Sequence, residues 1–191
     1  MPVKIDDKLK KAIVAMPERE KDKLLLRLVA KDAMLVKRLH HQLLEDEADM
    51  EIQREDLLKQ IDAASRRFAA EGWNDTPGWL MMQMRDFSGS ITSHVKITKD
   101  KLGEIELLLL LVNSAFRDNA DMLYSKQDRA DKFRHYVAKK AQMVLKKLKR
   151  VNRDYYIEFE EPVNQMLQYL KKYPPTARVM AEYELPGSWE A

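Results

Sequence analysis

The sequence contains no cysteine, which removes disulfides, thiolate nucleophiles and cysteine-ligated metal from consideration. Glycine and proline are scarce, five and seven in 191 residues, too little punctuation for a sheet-rich fold built on many tight turns. Long apolar runs are missing too. The longest, "LLLLLV" at 107–112, falls far short of the roughly twenty residues that cross a bilayer. The opening stretch "MPVKIDDKLKK" is charged and has no apolar centre, so it does not read as a secretory leader. No glycine-rich loop precedes a helical pattern, which excludes phosphate-cradling loops and dinucleotide fingerprints. We expect a soluble, cytoplasmic chain with no membrane segment.

What is present is helical. Hydrophobic residues make up 45% and charged residues 34%; the second figure is high and goes with long helices whose outer faces are charged. A chain of this length buries a core without staples and forms one domain or two small ones. Net charge is only +3, but it is unevenly placed. Between 44 and 62, eight acids face Arg54 and Lys59, whereas 132–153, "KFRHYVAKKAQMVLKKLKRVNR", holds nine Lys and Arg, one His and no acid. Such asymmetry serves an external partner, or the two segments neutralise each other.

Apolar spacing divides the chain into about seven helices. Leu9, Ala12, Ile13 and Met16 form a first short stripe; Pro17 opens a second with Leu24, Leu25 and Leu28; Asp32 caps a third with Leu35, Val36, Leu39 and Leu43. A longer helix through Ile52, Leu57, Leu58, Ile61 and Phe68 stops near Gly72. "GWNDTPG", 72–78, is the clearest break. The residues Leu80, Met84, Phe87, Ile91 and Val95 share a face beyond it, and Thr98 is a candidate cap for the next helix. That helix, apolar all round through 107–112, is the expected centre of a bundle. A further helix is expected from about Ser125 past Tyr155, stopped or kinked by Pro162, and a last one from 163 to 172. Residues 173–191 read as an irregular tail held by Trp189. The fold expected is therefore all-α: an N-terminal helical hairpin region at 1–72, HEAT-like at most, packed on an antiparallel bundle at 73–191, with one continuous domain as the alternative.

The segment "LMMQMRDFSGSITSHVKITKDKLGEI", 80–105, resembles an uncharacterised family of small all-helical bacterial proteins. The likeness covers this stretch best and the rest of the chain loosely. It implies a bacterial cytosolic protein and brings no activity, cofactor or catalytic residue.

Candidate chemistry is thin. His41 and Glu45, and Asp131 and His135, are four apart and so share helical faces; ion pairs explain them, since a metal site needs three or four convergent ligands and no Glu-x-x-His pair exists. Magnesium-binding acids three apart occur as Asp46/Asp49, Asp118/Asp121, Asp128/Asp131 and Glu158/Glu161; chance supplies about five such pairs among 31 acids. Ser88, Ser90, Ser93, Asp86 and His94 read as a polar helix face rather than a triad. Met81, Met82 and Met84 beside Trp79 read as core filler. We expect no catalytic residue, no metal and no cofactor.

One pattern stands out. Lys132, Lys139, Lys146 and Arg153 are spaced by seven, so they form one row on a helix, opposite Phe133, Val137, Val144, Leu148 and Val151. Arg150 joins the row, and Lys140 and Lys147 flank it. About 30 Å of such a row meets phosphates by charge, and Tyr155 and Tyr156 beyond it suit base stacking. The residues 45–56 are the internal alternative for neutralising it. The preferred function is a non-enzymatic helical interaction or adaptor protein with an unidentified protein partner. The alternative is nucleic-acid binding through Lys132, Lys139, Lys140, Lys146, Lys147, Arg150 and Arg153. A magnesium-dependent nucleotide hydrolase is third.

Overall fold

A computed structural model describes residues 4–71 and 76–190, apart from the side chain of Glu71. Among them the structure is all-α, with no strand, and no helix is long and apolar enough to cross a membrane. The chain divides into two compact units, 1–46 and 47–191.

The first unit holds α1 (Asp7–Val14), α2 (Glu18–Val29) and α3 (Ala33–Leu44). Local signals set their ends. The Asp6 carboxylate accepts from Leu9 N at 2.8 Å, Pro17 precedes α2, and Asp32 accepts from Met34 N and Leu35 N at 2.9 and 3.1 Å. The two carboxylates meet amides that the first turn leaves without partners. α2 packs on α3, as a helical hairpin requires. None of the three helices contains a buried residue.

The second unit holds α4 (Glu47–Glu71), α5 (Pro77–Thr98), α6 (Lys101–Tyr124), α7 (Ala130–Leu148), α8 (Tyr156–Lys172) and α9 (Pro174–Glu182). α6 is central and packs on α4, α5, α7, α8 and α9. Within 107–112, every residue except Leu110 is buried, because α6 has neighbours on most sides. The ring around α6 runs α4, α5, α7, α8, each packed on the next; among the described residues α4 and α8 do not pack on each other to the same extent. α4, which sequence spacing groups with the N-terminal region, lies in this second unit along α6. Residues 72–75 of the expected break at 72–78 lie outside the described residues; α5 begins at Pro77 with Thr76 as its cap, accepting from Trp79 N at 3.3 Å.

Buried polar groups tie α4 to α6. Ser65 Oγ donates to Ser114 O at 3.1 Å, and Asn119 Nδ2 donates to Ser65 O and Oγ at 3.1 and 3.2 Å. Asn119 leaves helical geometry (φ −136°, ψ 35°), so α6 kinks where this side chain bonds across to α4.

Three expectations are corrected. The helix expected to run from Ser125 past Tyr155 ends at Leu148; a turn follows, then one turn of 3₁₀ helix at Arg153–Tyr155 that Asn152 caps. α8 starts at Tyr156 and carries Pro162 within it, with the Pro162 carbonyl accepting from Asn113 Nδ2 at 3.0 Å. The stretch after 172 is not wholly irregular. Pro174 and Pro175 occupy the first turn of α9, where no amide hydrogen is needed, and Thr176, Val179 and Met180 are buried. Trp189 does hold the end: its backbone exchanges two hydrogen bonds with Asn164, at 2.8 and 2.9 Å, and its ring lies 5.0 Å from that of Tyr156.

Candidate interaction surfaces

α7 buries Phe133, Val137, Val144 and Leu148 against the bundle, which turns Lys132, Lys139 and Lys146 to solvent. Arg150 and Arg153 are also exposed, but they lie past the end of α7, in the turn and the 3₁₀ segment. The basic surface is therefore a helix face continued by a turn, not one straight helical row. Among the described residues Lys132, Lys139, Arg150 and Arg153 have no acidic partner, and Lys146 donates only to Gln142 Oε1, at 2.8 Å.

The two flanking lysines are half-buried and already engaged. Lys140 donates to Ser88 Oγ on α5 and lies 5.4 Å from the Tyr136 ring centre. Burial, with the like charges of Lys139 and Lys147, pushes its ammonium below the usual lysine range. Lys147 pairs with Glu104 at 2.7 Å. Arg134 leaves the surface altogether; it is buried and donates from Nε to Leu123 O at 2.6 Å. Of the acidic stretch, Glu45 receives His40 and His41 at 2.8 and 2.9 Å, and Glu55 receives Lys59 at 3.3 Å.

One addition comes from the fold. Lys101, at the start of α6, joins Lys147 and Arg150 around a recess of about 290 Å³ whose apolar wall is Val95, Ile105 and Val151. No spacing rule links position 101 to position 150; only the packing of α5 and α6 under the end of α7 does. Tyr155 is exposed, whereas Tyr156 is occupied by Trp189, so only one of the two tyrosines is free to stack.

The other sequence candidates separate. His135 lies 3.6 Å from Asp131 and 3.7 Å from Glu182, and Arg178 also reaches Asp131, at 2.8 Å. Asp118 is bound twice by Arg117, which also reaches Asp62. Those bonds hold the Asp118 carboxyl below its ordinary value against the opposing effect of burial. His94 leaves the polar line of Asp86, Ser90 and Ser93: it is buried, 3.7 Å from Asp100. Met81 and Met84 are core, while Met82 and Trp79 are exposed.

Sequence spacing does not find the junction of α5 and α6. Thr98 ends α5 rather than capping α6, and its hydroxyl receives Asp100 N at 3.2 Å. Asp100 is the cap: its Oδ1 accepts from Gly103 N at 2.8 Å while Oδ2 meets Arg54 Nη1 at 3.3 Å. Burial works to raise the Asp100 carboxyl, but the neighbouring His94 ring, the Gly103 amide and the Arg54 charge together hold it below its ordinary value. Comparison with protein families, curated proteins and solved structures gave no match.

Proposed function

We propose that the protein is a non-enzymatic helical interaction protein whose N-terminal unit docks a protein partner. One observation carries this reading. Three amphipathic helices, α1 to α3, bury no residue, and Leu25, Leu26, Leu28, Leu43 and Leu44 are each 52 to 74% exposed. Single exposed leucines are ordinary, but helices that bury none of their apolar residues and leave this many leucines exposed offer interfaces. Short helices gain most of their stability from packing an apolar face, so a partner that covers these leucines also stabilises the unit. The test uses the full chain with Leu25→Gln, Leu28→Gln and Leu43→Gln, cross-linked in cell extract beside the wild type. Wild type forms a defined complex that the variant loses at unchanged helicity. Identical cross-linking and identical sedimentation of the two would refute the reading.

A second reading is favoured by the exposed, unpaired cations of α7 and its following turn. On this reading that surface binds a polyanion, nucleic acid in the first place. Retention on heparin and on single-stranded DNA then falls steeply with salt, because counterions released from phosphates drive the binding, and shows little base preference, because lysines make point contacts. Loss of retention in Lys139→Glu/Lys146→Glu/Arg153→Glu supports it; absence of retention by the wild type at low salt removes it.

A further inference from the structure

The ring of helices around α6 is open between α4 and α8, and a cleft of about 700 Å³ fills the gap. Its apolar lining is Leu102, Leu109 and Leu110 of α6, Leu58 of α4, and Phe159 and Tyr169 of α8. Along α6 the lining runs from Leu102 to Arg117, a length of about 22 Å at 1.5 Å per residue. Along α8 it runs from Glu158 to Tyr169 through Pro162 and Gln165, all on one helical face. A trough with two helical walls and a helical floor, about four turns long, is the complement of one more helix.

The charge around this trough selects the helix. Arg54 is held by Asp100 and Glu106 at 3.3 and 3.5 Å, and Arg117 by Asp62 and Asp118, both at 2.6 Å. Asp62 is shared with Arg66, at 3.1 Å. Glu158 is exposed with no partner among the described residues. Of the charged residues that line the trough, Arg54 and Arg117 are thus committed to carboxylates of the fold, which leaves Glu158 free and Glu106 held only at 3.5 Å. Hydrogen-bond acceptors are in surplus too. Pro162 has no amide hydrogen for the Glu158 carbonyl, and Asn113, which lines the cleft, leaves its Oδ1 without a donor.

We infer that the α4–α6–α8 trough docks an amphipathic helix from a partner protein, about four turns long, with leucine-like residues on its inner face and lysine or arginine on its flanks. The apolar face covers the leucine floor, and the basic flanks meet Glu106 and Glu158. This is the helix-in-groove mode of recognition. It does not depend on the exposed leucines of α1 to α3.

The probe is a synthetic helical peptide of about four turns, with leucine on one face and lysine on both flanks; its counterpart carries glutamate on the flanks. Binding to the full chain is followed by fluorescence anisotropy. The lysine peptide binds, and the glutamate peptide binds at least about tenfold more weakly. Gln165→Trp, at an exposed position on α8, fills the trough and weakens the lysine peptide about tenfold or more, while Glu158→Lys weakens it several-fold, with only the small fall in melting temperature expected from a cation in the first turn of α8. Three results overturn the inference: neither peptide binds; both bind equally; or Gln165→Trp leaves peptide affinity unchanged. A fourth does so in favour of self-association: the wild type is a dimer, Gln165→Trp is a monomer, and no peptide binds.

Discussion

Gly103 is the third residue of α6, where substitution by alanine would ordinarily stabilise the helix. Propensity alone assigns Gly103→Ala a gain of about 1 kcal/mol. The surroundings reverse the sign. A Cβ at this position would lie 2.0 Å from Asp100 Oδ2 and 2.5 Å from Arg54 Cδ. The Arg54 contact is with a flexible chain that can swing away. The Asp100 contact is not, because that short side chain is buried and tied to the Gly103 amide as the cap of α6. Moving it sacrifices the cap, worth about 1 kcal/mol, and takes a buried carboxylate from its partners, at about 1 to 3 kcal/mol more. The net effect is a loss of about 1 to 3 kcal/mol once the propensity gain is deducted. At roughly 2 to 4 °C per kcal/mol, thermal unfolding followed by circular dichroism falls by several degrees.

A second substitution isolates the cause. In the Asp100→Ala background the obstructing oxygen is gone, so adding Gly103→Ala should be neutral or stabilising. The coupling between the two positions should therefore reach about 1 to 3 kcal/mol, as expected for residues in direct contact. If Gly103→Ala is more stable than the wild type, or if its effect is the same in both backgrounds, the steric account of this junction is wrong.

Other outcomes follow from burial and charge. Leu109→Asp places an unpaired carboxylate in the core and abolishes folding by circular dichroism, whereas Leu110→Asp, at the half-buried cleft position, still folds; equal tolerance of the two would contradict the orientation of α6. Asp118→Asn costs stability at neutral pH, and the gap to the wild type narrows as pH falls below 3.8, the ordinary value from which the Asp118 carboxyl is lowered. A carboxyl lowered in the folded state stabilises above its unfolded pKa and loses that contribution as it protonates; urea unfolding at neutral and acid pH with a constant gap would count against the Arg117 contacts. Lys132→Glu raises the melting temperature slightly, by the equivalent of about 0.3 to 1 kcal/mol, yet lowers retention on heparin; a fall in stability would mean that Lys132 serves the fold.

The helical class and the central helix were legible because periodicity reports burial directly. Apolar residues on most faces of α6 mean neighbours on most sides, and the stripe of α7 fixes which side of it is wet. The boundaries were less legible. Nothing in "KLKRVNRDYY" breaks a helix by composition, since it lacks glycine and proline. The turn there depends on Asn152, whose side chain accepts from Asp154 N at 3.4 Å and donates to Asp154 Oδ2 at 2.7 Å. The two prolines at 174 and 175 carry the opposite lesson: a residue that ends a helix from inside also starts one from its first turn. The Arg54–Asp100–Gly103 junction joins positions almost fifty residues apart, so no local spacing reveals it. The open side of α6 was hidden for a related reason. Leu102 and Leu110 follow the same period as the buried leucines, and only the lack of close packing between α4 and α8 distinguishes a trough from a core.

The cations of 132–153 then divide by what the fold asks of each. Lys146, Lys147 and Lys149 stand at or just beyond the last turn of α7, where positive charge favours the negative end of the helix. Lys147 is further neutralised by Glu104 and Lys140 is half-buried on Tyr136, while Arg134 is consumed by backbone carbonyls. Folding accounts for these residues. It does not account for Lys132, which sits in the first turn of α7, where a cation opposes the helix dipole, nor for Lys139 at mid-helix, nor for Arg150 and Arg153 beyond it. Those four are exposed and have no acidic partner among the described residues. The part of the basic surface that stability does not explain is thus itself free to meet an external anion, with Lys146 and Lys149 exposed beside it.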